Sequence, residues 1–147
     1  MAIKLNPYLN FDGQCEEAFL FYKKVFGGEF TEHGIMRLGD MPPSEEFPVP
    51  EEFKNRVMHV SLPIGNEILM GSDTMPGMGS PFQKGVNNYI SVSPNSREEA
   101  DRLFSELSEG GTVEMPMADM FWGDYYGSFI DKFGTPWMIN YNSQYQS

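Results

Sequence analysis

A chain of 147 residues is near the modal size of one domain, long enough to bury a core and too short for two independent domains with a linker. Aromatic residues at 14% argue against disorder, and a formal charge of −11 sets the chain against nucleic-acid phosphates and anionic membrane surfaces, so neither is an expected partner. The lone cysteine, Cys15, cannot form an intramolecular disulfide, no N-terminal apolar run resembles a secretory signal, and no stretch reaches the ~18 apolar residues of a membrane span, so the expected location is the cytoplasm.

Taken in chain order, residues 3–11 read as a strand in which Pro7, lacking an N–H, marks an edge or irregularity. Asp12-Gly13 turns the chain, with Asp12 as the expected cap of the next helix. Over 16–26, Ala18, Phe19, Tyr22, Val25 and Phe26 recur at helical spacing, and Gly27-Gly28 stops the helix. Residues 29–38 read as a second strand. The segment 39–55 is a long loop rich in proline and acids (Asp40, Glu45, Glu46, Glu51, Glu52), the pattern of a lid or flap. In the strand 57–64, Met58, Val60 and Leu62 alternate with Val57, His59 and Ser61. Gly65-Asn66 turns into a partner strand, 67–73.

A Gly/Pro/Met/Ser segment at about 74–85 links to a second half with the same order. Residues 86–93 read as a strand. Ser96 and Glu99 have capping-box spacing, and Ala100, Leu103, Phe104 and Leu107 mark one helical face before Gly110-Gly111. Strands follow at 112–116, 125–132 and 136–142. The repeated order reads as an internal duplication of a strand–helix–three-strand (βαβββ) unit, with module one at about 1–73 and module two at about 86–147 of a single domain. The fold class is α+β. Each helix covers one sheet face, and the opposite face must meet the other module or a ligand.

The runs Tyr8-Leu9-Asn10-Phe11 with Gly13, Phe21-Tyr22-Lys23 with Phe26-Gly27-Gly28, Met70-Gly71-Ser72-Asp73, Phe121-Trp122-Gly123, Tyr126-Gly127, and Asp131-Lys132-Phe133-Gly134 through Pro136-Trp137-Met138-Ile139-Asn140 together resemble the vicinal oxygen chelate superfamily, the glyoxalase/bleomycin-resistance fold. Within it they are most similar to the PhnB-like branch, which carries a demethylubiquinone methyltransferase-like label. The resemblance implies two βαβββ modules forming an open barrel-like cup, and a homodimer. Enzymes of the superfamily hold a metal with two His or Glu ligands from each module. Carried over by position, those places fall at Pro7, Met70, about Asn88 and Met138, none of which suits a hard or borderline divalent ion, so no metal is expected. No Gly-x-Gly-x-x-Gly follows a strand, so no nucleotide cofactor is expected either.

Alternation puts Val57, His59 and Ser61 on the concave face. A histidine there can act as a general base near neutral pH, or can simply bond a neighbouring strand. Met70 and Met138 read as an adaptable apolar pocket floor or as ordinary core. Trp122, Tyr125, Tyr126 and Trp137 offer stacking surfaces or core filling. Parity with Met138 places Asn140 in the pocket and Trp137 on the helix side. Gly71 and Ser72 allow close approach to a ligand, or mark a bulge. Asp131 is expected to cap the turn before Gly134. The candidate ligand-binding set is therefore His59, Ser61, Met70, Ser72, Asn88, Trp122, Tyr125, Met138 and Asn140, with His59 as the candidate catalytic residue. The expected function is metal-free binding of an apolar to aromatic small molecule. The alternatives are an enzyme with His59 as general base, a metal-dependent glyoxalase- or dioxygenase-like enzyme, and a drug-sequestering resistance protein.

Overall fold

A computed structural model describes residues 3–42, 44–46, 48–75, 77 and 81–143, and among these are two α-helices, eight β-strands and two short 3-10 helices, Leu38–Asp40 and Glu51–Phe53. The chain divides into two units, Met1–Gln83 and Lys84–Ser147. Each carries one βαβββ module, so the fold is α+β as the alternation of patterns predicts. None of the described helices is long and apolar enough to cross a membrane.

Module one contains β1 (Tyr8–Phe11), α1 (Cys15–Phe26), β2 (Met36–Arg37), β3 (Val57–Ile64) and β4 (Glu67–Asp73), in the sheet order β1-β4-β3-β2. Module two repeats this with β5 (Ile90–Val92), α2 (Arg97–Ser108), β6 (Thr112–Asp119), β7 (Tyr125–Ile130) and β8 (Pro136–Tyr141), in the order β5-β8-β7-β6. In each sheet the first strand runs parallel to the last and the other pairs are antiparallel. Identical order and direction in both halves fit the duplication read from the sequence.

The first strand is shorter than expected, because the chain before Tyr8 bonds β4 irregularly. Asn6 Oδ1 accepts from Ile68 N at 3.0 Å, and the Pro7 carbonyl accepts from Met70 N at 3.1 Å. The helix α1 buries Cys15, Ala18, Phe19, Tyr22 and Val25, with Glu16 and Glu17 in its first turn and Lys23 and Lys24 in its last, matching the helix dipole. Its cap is not Asp12. Asp73 lies opposite Phe11 in the β1–β4 register, so its carboxylate reaches the helix mouth from the neighbouring strand. Oδ1 accepts from Gly13 N (2.9 Å) and Cys15 N (3.0 Å), and Oδ2 accepts from Val57 N (2.9 Å). Asp12 pairs with Arg56 instead, at 3.0 Å.

The predicted second strand collapses to Met36–Arg37. A turn closed by Gly34 N→Thr31 O (2.7 Å) takes the preceding residues out of the ladder. Met36 lies opposite His59 and Arg37 opposite Val57, so Met58 is the extra residue of a bulge. The bulge breaks the alternation read from the sequence. Val57 shares a face with Arg37, whose guanidinium grips Glu16 of α1 at 2.8 Å, and it is fully buried. Val57 therefore leaves the concave set.

Two glycines fix which face the helices cover. A Cβ on Gly71 would stand 2.5 Å from the Phe19 ring, and one on Gly127 would stand 2.8 Å from Phe104 of α2. Gly71 thus serves helix packing rather than ligand approach or a bulge. Val60 and Leu62 share the Gly71 side, and Phe129, Trp137 and Ile139 share the Gly127 side. All five are essentially buried, and together with the inner faces of α1 and α2 they form the two cores. At α2 only half of the capping box forms. Ser96 Oγ accepts from Glu99 N at 3.1 Å, but the Glu99 carboxylate turns to Arg102.

Candidate functional site

On module one, the sheet face opposite α1 carries Tyr8 and Asn10 from β1, His59 and Ser61 from β3, and Met70 and Ser72 from β4. Register brings them together: Met70 lies opposite both Tyr8 and Ser61, and Ser72 lies opposite Asn10. The bulge at Met58 is what keeps His59 on this face while Val57 lies on the other. The Tyr8 hydroxyl sits 3.3 Å from His59 Nδ1, and His59 Nε2 sits 2.8 Å from Ser61 Oγ. In one tautomer the phenol donates to Nδ1 and Nε2–H donates to the serine hydroxyl; the other tautomer reverses both bonds. The Tyr8 and His59 rings are tilted against each other at 5.8 Å, and Ser72 Oγ lies 3.5 Å from Asn10 Oδ1. Four predicted residues, His59, Ser61, Met70 and Ser72, thus share one surface. Tyr8 and Asn10 were missed, although the alternation Tyr8-Leu9-Asn10-Phe11 could have revealed them. Tyr8, not Pro7, is the register partner of Met70.

Both ring nitrogens of His59 are engaged, and among the described residues no carboxylate bonds the ring. This arrangement suits recognition of a polar group better than proton abstraction, which needs a free lone pair aimed at the substrate. Ser61 is buried beneath this row and Tyr8 is 45% exposed, so the phenol is the accessible end.

The bulge residue Met58 belongs to a second feature. Together with Leu38, Met41, Pro42, Val49 and Met75 it lines a pocket of about 420 Å³, in which Ser44 is the one polar residue among the described lining residues. The described part of the proline-rich 39–55 segment therefore walls a cavity. Its apolar members were hidden in the sequence among prolines and acids.

On module two, the face opposite α2 carries Ser91, Tyr126, Ser128, Met138 and Asn140, since Met138 pairs with both Ser91 and Ser128 and Asn140 pairs with Tyr126. Of the predicted residues, Met138 and Asn140 meet here. Three do not. Tyr125 is on the helix side: its hydroxyl donates to Asp101 of α2, and the Arg97 guanidinium lies 3.8 Å over its ring. One step along β7 exchanges the faces, which is why Tyr126 takes the place expected of Tyr125. Trp122 stands 57% exposed in the turn before β7, with its indole N–H donating to Asp124 Oδ2 at 3.0 Å. Asn88 precedes β5, is exposed, and donates to Asn87 Oδ1 at 3.4 Å. Asp124 is held below the usual carboxylate range by a bond from Asn142, assisted by Trp122 and Asn140, so Asn140 already has a partner. Asp131 behaves as expected, accepting from Phe133 N and Thr135 N; its second oxygen also takes the Trp137 indole N–H at 2.8 Å, which holds Trp137 on the helix side.

Cys15 is buried at the mouth of α1. Burial, and then the charges of Asp73 and Glu16, push its thiol well above the usual range, so it behaves as a small apolar side chain.

A family model described as 3-demethylubiquinone-9 3-methyltransferase matches residues 3–140. Protein YjdN of Escherichia coli is 33% identical over 142 residues, covering 92% of this chain and 93% of its own. Among solved structures, PA1353 from Pseudomonas aeruginosa has a TM-score of 0.83 at 37% identity, covering 96% of this chain and 98% of its own. The fosfomycin resistance protein FosX of Listeria monocytogenes, solved with Mn(II), shares the fold at a TM-score of 0.59 and 14% identity, covering 97% of this chain and 93% of its own.

Metal-holding members of this fold raise the question of whether such an ion fits here. The open face of module one offers a single imidazole and no carboxylate, and the matching strand positions of module two offer neither. Among the described residues no three His, Cys, Asp or Glu converge. Methionine thioethers at Met70 and Met138 are too soft for Mn(II) or Zn(II), so the donor set does not fit. Matched over nearly its whole length, the chain belongs to the family described as 3-demethylubiquinone-9 3-methyltransferase, and it shares its fold with FosX.

Proposed function

We propose that module one binds a small organic molecule, apolar over most of its surface with one polar group, and does so without a metal ion. The observation that carries this reading is the apolar pocket of about 420 Å³, a size within the rough 300–1,000 Å³ range of small-molecule sites. Its wall residue Met58 directly precedes His59 on β3. Burial in the pocket supplies affinity in proportion to apolar area, about 25 cal/mol per Å². The Tyr8–His59–Ser61 chain supplies donors and acceptors that can read a polar group. Methyl transfer, which the family's description names, finds little support in these residues. Both sheets are largely antiparallel, and no glycine-rich turn joins a strand to a helix as a nucleotide-type cofactor requires.

The test is a thermal-shift screen of metabolites and divalent metals against the wild type and His59→Ala. A ligand of the native state must raise apparent stability by mass action. The expected outcome is a shift with an organic compound, none with Mn(II) or Zn(II), and a smaller shift in His59→Ala at nearly unchanged free-protein Tm. Stoichiometric binding of a divalent metal would overturn the metal-free reading. An enzyme with His59 as general base predicts instead that His59→Ala loses turnover while still binding the compound.

A further inference from the structure

We infer that the open face of module one meets its ligand with the hydroxyl of Tyr8 as a hydrogen-bond donor, so that the ligand's polar group is an acceptor: the oxygen of a neutral ketone, ester or amide. This rests on the reading above that module one binds an organic molecule, and it adds the polarity of the group that molecule presents.

The direction of the Tyr8–His59–Ser61 chain is set at its buried end. Ser61 is 7% exposed, and among the described residues its hydroxyl has one partner, His59 Nε2 at 2.8 Å. If Nε2–H donated to Ser61, the serine O–H would be buried without an acceptor, and it would bear the desolvation penalty of an unmade bond. Ser61 therefore donates to Nε2, and the neutral imidazole carries its proton on Nδ1. Nδ1–H then donates to the Tyr8 oxygen, 3.3 Å away. That bond uses the phenol as an acceptor and leaves its O–H free on an exposed ring. The inner bond is the shorter of the two, so the buried serine rather than the exposed phenol fixes the tautomer.

The rest of the row is arranged in the same sense. Asn10 shares this face of β1, Ser72 Oγ donates to its Oδ1 at 3.5 Å, and no described residue takes its amide N–H groups. Met70 adds only a thioether, and neither Asp nor Glu belongs to the row. A ligand therefore meets donors and no strong acceptor. A carboxylate could use the same donors, but the chain's charge of −11 repels anions, which leaves the neutral carbonyl.

Two isosteric pairs of probes, titrated into the full chain, test this. Acetophenone has a carbonyl oxygen where α-methylstyrene has a methylene, and indole has a donor N–H where indene has a methylene. The nitrogen resonances of the neutral His59 ring show which atom holds the proton. The expected result is a proton on Nδ1, acetophenone bound about five-fold tighter than α-methylstyrene, and indole no tighter than indene, since one net hydrogen bond is worth about that factor. Tyr8→Phe should equalise the acetophenone pair and leave α-methylstyrene binding unchanged. A proton on Nε2, equal affinity within the acetophenone pair, a preference that survives Tyr8→Phe, or indole bound tighter than indene overturns the donor role of Tyr8 while the ligand site stands. Binding by none of the four probes overturns the ligand-site reading, and the carbonyl preference with it.

Discussion

The two modules share an order of elements and differ in how far each reaches for its restraints. In module two, α2 starts on its own cap, Ser96, one residue ahead of the helix. The connection from β6 to β7 is a short turn over 120–124. In module one, α1 has no side-chain cap of its own, and its first turn is held by Asp73, the last residue of the last strand. The corresponding connection, from β2 to β3, is the long acidic segment that walls the pocket. One copy is restrained locally. The other is restrained across the sheet, by a single buried carboxylate that also takes the N–H opening β3. The copy with the long-range restraint carries the cavity, so Asp73 fixes the start of the strand that places both Met58 and His59.

That difference predicts unequal costs. Asp73→Ala leaves the N–H groups of Gly13, Cys15 and Val57 without their acceptor, two of them in buried bonds. The expected loss is about 3 kcal/mol or more, because unsatisfied buried donors bear the full desolvation penalty. Ser96→Ala removes one cap bond, and the expected loss is about 1 kcal/mol. Urea denaturation of the two variants measures both. Equal losses would break the contrast between a local and a long-range restraint. If Asp73→Ala also abolishes the thermal shift with an organic compound under conditions where it remains folded, the link from this carboxylate to the pocket is sharpened.

The same contrast explains what the sequence could reveal. Periodicity located α1 and α2, and Ser96 announced its helix, because those signals act within a few residues. The sheet pairs β3–β4 and β7–β8 were equally legible from alternation and turn residues. Asp73 as a cap was not, since nothing within α1 points to a residue 58 positions away. The bulge at Met58 was not legible either, because it arises where two residues of β3 face a single step of β2, and a one-residue slip moves a side chain to the other face. That slip removed Val57 from the concave set, and the same parity separates Tyr125 from Tyr126. The pairing of His59 with Tyr8 depended on the β1 register, set by the parallel strand that the chain reaches only at β4.

The smallest expected effect concerns the ion pair that ties the edge strand β2 to α1. Arg37 donates to both carboxylate oxygens of Glu16, at 3.0 and 2.8 Å, and this bonding holds Glu16 below its ordinary value of 4.5. A depressed folded-state value means that the contribution is fully present above about pH 4.5 and fades as pH falls through the lower folded value. The pair is well exposed, so solvent screening limits it to about 0.5 kcal/mol. Glu16→Gln should therefore cost that little at neutral pH and nothing once the pH is below the folded value, so that the two stability curves converge in acid. Convergence toward alkaline pH instead would mean that the Arg37–Glu16 pair does not contribute in this sense. Because Arg37 lies opposite Val57 at the bulge, the variant also asks whether the edge strand keeps the bulge in place. A retained Tyr8–His59 contact, read from the His59 ring resonances in Glu16→Gln, would leave that role to Asp73.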